Sequence, residues 1–118
     1  MTAAPSFTRV SAARGECFLN AFFFVDQNPA WDVVHGIPLG RCPIEGVRYA
    51  HAWNEITHDG IRWVYEAYTD VLMPAALYYL IGAIKYTKIY THRETMTHAR
   101  KSAHAGPWDA KINQAEGR

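Results

Sequence analysis

Three residues of this chain have the types that nucleophilic acyl transfer needs. Cys17 stands in Gly15-Glu16-Cys17-Phe18-Leu19, His51 in Tyr49-Ala50-His51-Ala52-Trp53, and Glu66 in Trp63-Val64-Tyr65-Glu66. A thiolate attacks a carbonyl carbon. An imidazole takes the thiol proton and later delivers one to the leaving group. A carboxylate fixes the imidazole's tautomer and stabilises its charged form. Each residue also has a plainer reading. Cys17 beside Phe18 fits a small buried hydrophobe, and His51 between two alanines fits a satisfied core histidine. Glu66 is harder to place alone, because an acid in an apolar strand either faces solvent or is held by a partner.

The elements that carry these residues are legible from pattern. From about Gly15 to Asp26 the spacing predicts a helix, with Phe18, Leu19, Phe22 and Phe23 as its apolar stripe and Pro29 beyond its end. Cys17 then lies at the head of that helix, where the dipole favours an anion. Trp31 to Ile37 reads as a strand, and Pro38 to Gly46, with Gly40, Pro43 and Gly46, as a loop. Val47 to Ile56 and Ile61 to Tyr68 read as a hairpin around Thr57-His58-Asp59-Gly60, with His51 in mid-strand. A turn at His58-Asp59 sets Glu66 directly opposite His51. A turn at Asp59-Gly60 sets His51 opposite Tyr68, with Glu66 one pair along on the same face. A three-residue loop puts Glu66 on the wrong face.

This order and these motifs resemble the papain-like superfamily in its transglutaminase-like branch, and its sister branch of NlpC/P60 peptidases. The resemblance covers roughly residues 15–70 and rests on Cys17 at a helix head, His51-Ala52-Trp53-x-Glu55 on a strand, and Trp63-Val64-Tyr65-Glu66 on the next. The compact size also resembles small phage-encoded members. Such domains more often carry Asp where Glu66 stands, and Ser11 occupies the place of a papain-type oxyanion glutamine. The resemblance implies a thiol hydrolase or acyl transferase working on an amide, peptide or isopeptide bond through a thioester. Cys17 would be nucleophile, His51 base and then acid, and Glu66 the group that orients His51. The backbone N–H of Cys17 is one oxyanion donor. Asn20, one turn on, is a candidate for the second, Trp53 for a wall that excludes water, and His35 for the lining of the cleft. Cys42, in the Gly/Pro loop, is the rival nucleophile.

The rest of the chain frames that expectation. Its 118 residues are 49% hydrophobic and 19% charged, which suits one folded domain. Residues 1–13 read as flexible, 15–70 as the catalytic-type core and 71–118 as a C-terminal helical extension. In the extension, Pro74 to Gly82 reads as a short helix, Ile84 to Tyr90 as an edge strand, and Thr91 to His104 as a polar helix opened by a Thr91-x-x-Glu94 capping box. Trp108 anchors the tail. The element order gives an α+β fold: a small antiparallel sheet with the nucleophile-bearing helix packed on it and further helices toward the C-terminus. A net charge of +1 offers no global handle for nucleic acid or an anionic membrane. The apolar stretch Val71 to Ile84 is shorter than the roughly 20 residues of a membrane span. Met1 to Arg14 has no apolar signal core, so a reducing cytoplasm and free thiols are expected. No cofactor is expected. Cysteine spacing argues against structural zinc, and His92, His98 and His104 do not share a helical face. The competing expectation is a non-catalytic interaction module on the same fold, marked by a surface patch of Trp108, Tyr86 and Tyr90 with no open cleft.

Overall fold

Asp59 and Gly60 take positive φ angles of 51° and 78° and make the two-residue turn that joins the central hairpin. The turn fixes the register, with Asn54 opposite Tyr65 and His58 opposite Ile61. In that register Glu66 falls opposite Trp53, one pair along from His51 on the same face. The computed structural model describes residues 3–40 and 46–115. In chain order the elements are α1 (Cys17–Gln27), β1 (Asp32–Gly36), β2 (His51–His58), β3 (Ile61–Glu66), β4 (Val71–Pro74), α2 (Ala75–Gly82), β5 (Thr87–Tyr90), α3 (His92–Ser102) and α4 (Ala110–Ala115). The five strands form one antiparallel sheet in the order β4-β3-β2-β1-β5. The fold is therefore α+β. Among the described residues no helix is long and apolar enough to cross a membrane.

One sheet face is covered by α1. The helix buries Phe18, Ala21, Phe24 and Val25 against Val33, Ala52 and Tyr65. This corrects the expected stripe. Leu19 and Phe23 are 38% and 46% exposed, because the positions that meet the sheet recur at i, i+3 and i+7 from Phe18. The run Phe22-Phe23-Phe24 is apolar on both sides and hides that choice from a sequence pattern. Within residues 1–13, which read as flexible, the described part packs on the core. The described part forms no helix or strand, yet Phe7 packs 4.4 Å from the Tyr65 ring and 5.6 Å from Phe24. Asn28 ties the backbone of Thr8 through both atoms of its amide.

The other face is covered in part by α2, whose Ala75 packs with Val34, Trp53 and Val64 of the sheet. Here a carboxylate is buried by design of its neighbours. Glu55 is 2% exposed and accepts from Trp53 Nε1 at 2.7 Å, the Tyr79 hydroxyl at 2.5 Å and Arg62 Nε at 2.8 Å. Arg62 also reaches Asp32 at 2.9 Å, so one network ties three strands to α2. Gly36 completes the packing: a Cβ there would come within 2.5 Å of the Trp53 ring.

The C-terminal part is not a helical appendage. Both edge strands, β4 and β5, come from residues 71–90, and β4 runs without a break into α2. The Val71–Ile84 stretch reads as one apolar run because its strand and its helix each present an apolar side. Thr91 and Glu94 form the reciprocal capping box at the head of α3. Trp108 stacks on His98 at 5.0 Å, and Ile112 of α4 is a second, fully buried anchor.

Arg62 is the only positive group on the Glu55 carboxylate among these partners. Arg62→Leu leaves a buried negative charge unpaired and is expected to lower unfolding free energy by roughly 3 kcal/mol. Urea denaturation at neutral pH reads the loss. Gly36→Ala should destabilise through a different route, displacing the Trp53 ring, and a changed tryptophan fluorescence would mark it.

Candidate functional site

His51 is the first residue of β2 rather than a mid-strand residue, opposite Gly36 at the end of β1. Its side chain therefore projects from the end of the sheet. The N-terminus of α1 arrives at that same end, because the helix packs across β1 and β2. Cys17 is its first residue, half-buried and a free thiol. Glu16 stands at the N-cap without a side-chain hydrogen bond to the helix. The N–H groups of the first turn, Cys17 and Phe18 included, have no intrahelical acceptor. They form a set of donors beside the thiol.

The structure brings the three predicted residues together. His51 Nε2 donates to Glu66 Oε2 at 3.1 Å, with the two side chains 18% and 22% exposed. Cys17 lines the same cleft as His51 and Glu66, near enough to the imidazole to act on its titration. Burial by itself pushes the His51 pKa down. Hydrogen bonds and charge from Cys17 and Glu66 outweigh it and raise the value from 6.5 to about 10. Burial likewise pushes Glu66 up, but its bond and charge interaction with His51 and its bond from Tyr78 hold it below the usual carboxylate range. The pair is an imidazolium and a carboxylate at neutral pH.

Tyr78 is the member of this constellation that the sequence reading missed. Its hydroxyl donates to Glu66 Oε2, the same oxygen that His51 uses. Burial first, then the Glu66 charge and bond, pushes the Tyr78 pKa far up, so the phenol remains a donor throughout the physiological range. Tyr49 is the second missed residue, its ring 5.5 Å from the imidazole. A tyrosine pair on a short helix reads as packing, and only the helix's docking reveals the carboxylate partners.

The other expected site residues divide. Trp53 lies behind His51, with ring centroids 5.8 Å apart, and is buried. It lines a gap of about 30 Å³ beneath the trio, which is too small for a substrate. Asn20 lines the open cleft, but its amide clamps Ala13, donating to its carbonyl at 2.8 Å and accepting from its N–H at 2.9 Å. It holds the segment before the helix. His35 is a correction. It is 0% exposed and ringed by Phe18, Tyr90 and Trp108. Alternation along β1 turns it onto the α1 face and into the core, away from the cleft. Burial drives its pKa down to about 3, so it is neutral. Cys42 lies outside the described residues.

Two open spaces meet at the trio. A cleft of about 420 Å³ is lined by Cys17, Tyr49, His51 and Glu66. A second, of about 280 Å³ and mostly apolar, is lined by His51 and Glu66 but not by Cys17. Among the described residues no group of three or more His, Cys, Asp or Glu is placed to hold a metal ion. Of the three aromatics expected to mark an interaction surface, Tyr90 is buried and Tyr86 and Trp108 are partly buried.

The two shifts set a pH window for the ion pair. The stabilisation from Glu66, whose folded pKa is depressed, is present above its ordinary value of 4.5 and is lost as pH falls through the folded value. That from His51, whose folded pKa is raised, is complete below 6.5 and is lost as pH rises toward about 10. The stability gap between wild type and Glu66→Gln is therefore expected to be widest between these ordinary values and to narrow on both sides. Chemical denaturation across pH checks it. Tyr78→Phe removes one donor and should raise the Glu66 titration, read by carboxyl ¹³C NMR, at a stability cost of about 1–2 kcal/mol.

No protein-family model, curated protein or solved structure matches the chain.

Proposed function

We propose that the protein is a cysteine-dependent hydrolase or acyl transferase acting on an amide, peptide or isopeptide bond, with a papain-like or transglutaminase-like core. One observation carries the reading: a single imidazole is held by Glu66 and shares its cleft with a thiol at the uncapped head of a helix. Each part has a step to perform. The Cys17 sulfur donates an electron pair to the carbonyl carbon, and the carbonyl π pair moves onto oxygen. The first-turn N–H groups of α1 are placed to receive that oxyanion. As the intermediate collapses, the C–N bond breaks and the nitrogen takes a proton from the His51 imidazolium, leaving a thioester on Cys17. Neutral His51 then takes a proton from water or an amine, which attacks the thioester and expels the Cys17 thiolate, restoring the imidazolium. Glu66 keeps the imidazole oriented and supports its charged form through the cycle.

Alkylation by iodoacetamide, followed at the Cys17 peptide by mass spectrometry, tests the pair directly. The expected result is a rate near pH 6 well above that of free cysteine. His51→Ala should cut it by about tenfold or more, and Glu66→Gln by less. A Cys17 that reacts like free cysteine, with no response to His51→Ala, would overturn the reading.

A further inference from the structure

We infer that the apolar cavity beside His51 receives an apolar side chain on the leaving-group half of the substrate. This rests on the acyl-transfer reading above and adds to it a direction and a specificity. The cavity, about 280 Å³, has walls from Leu39, Val71, Met73, Ile81 and Ile84. Tyr49, His51 and Glu66 line both this cavity and the Cys17 cleft, so the imidazole stands between the thiol and the cavity. In the acyl-transfer step the departing nitrogen must take its proton from that imidazole. The acyl half stays over Cys17 and the head of α1, where a separate space is lined by Gly15, Leu19 and Gly106. What leaves Cys17 past His51 enters the apolar cavity.

The lining decides the chemistry of the occupant. Among the described residues it contains no lysine, arginine or aspartate, and its one acid, Glu66, is already held by His51 and Tyr78. A charged side chain would give up its hydration there without a partner, and an acidic one would also face Glu66. A leucine- or phenylalanine-sized group would instead gain contact with five apolar walls. Full burial of such a side chain corresponds to roughly ten- to hundredfold in rate or affinity over glycine.

The reverse step offers a test without a known substrate. p-Nitrophenyl acetate acylates Cys17 and releases p-nitrophenolate. An added amine then attacks the acetyl thioester, loses its proton to His51 and expels the thiolate. That amine occupies the leaving-group side. Leucinamide, phenylalaninamide, glycinamide and aspartic acid α-amide are compared on the full chain, with the acetylated amines measured by mass spectrometry. Leucinamide or phenylalaninamide is expected to exceed glycinamide by about tenfold or more, with the aspartic amide slowest. Ile81→Asp, at a position 48% exposed, should abolish that ratio. The ratio is read within each variant, so any change in acylation rate cancels. Met73→Ala, a second variant, should shift preference from leucinamide toward phenylalaninamide. Equal rates for all four amines after a normal nitrophenolate burst would overturn the inference and leave the thiol reading standing. So would an unchanged ratio in both folded variants. Absence of a burst beyond that of Cys17→Ala would remove the thiol reading and this inference with it.

Discussion

Two carboxylates lie on the same face of the sheet, and the rest of the structure depends on how they are satisfied. Glu55 is fully buried and Glu66 is half-buried. Neither can be left without donors in that setting, because an uncompensated buried charge would outweigh any packing around it. Consecutive tyrosines of α2 supply a donor to each: Tyr78 to Glu66 and Tyr79 to Glu55. The remaining donors come from the sheet itself, His51 for one acid, and Trp53 and Arg62 for the other. One short helix thereby fixes both the hairpin and the orientation of the imidazole.

The chain gives that helix little freedom. Strand β4 pairs with β3, setting Val71 opposite Glu66 and Pro74 opposite Trp63. Helix α2 begins at the next residue, so it leaves the sheet from a strand already registered on Glu66. From that start, one turn of helix carries Tyr78 back over the carboxylate. On the opposite face α1 brings Cys17 to the end of the sheet where β2 begins. The thiol and the carboxylate thus reach the imidazole from different layers, and His51 joins them because it is the last side chain before the sheet ends.

This arrangement gives the proposed chemistry a polarity. Donors at the head of α1 and the cleft beside Cys17 lie on one side of the imidazole. The apolar space under α2 lies on the other. A ring held by Glu66 cannot turn freely, so in the proposed reaction proton transfer would have a fixed line and the two halves of a substrate separate places.

The sequence alone determined much of the local structure. Thr57-His58-Asp59-Gly60 marked the hairpin, and two of its three possible turns put Glu66 on the same face as His51 through the period of two along the strands. The alternation His51, Trp53, Glu55 marked one face, and Thr91 with Glu94 marked a helix start. These features depend on neighbours a few residues away, and local chemistry is enough to read them. Other features were decided only by the tertiary structure. Which side of α1 faces the sheet could not be read from three successive phenylalanines. The burial of His35 in the core followed from strand pairing and the aromatic rings of β5 and the tail. Phe7 found its place only because Phe24, Trp31 and Tyr65 come together from three separate segments. Tyr78 belongs to the site because β4 aims α2 at Glu66, a contact between residues whose partnership has no signature in spacing. Local sequence sets the turn, the alternation and the caps. Long-range packing of buried charge chooses which side chains surround the imidazole.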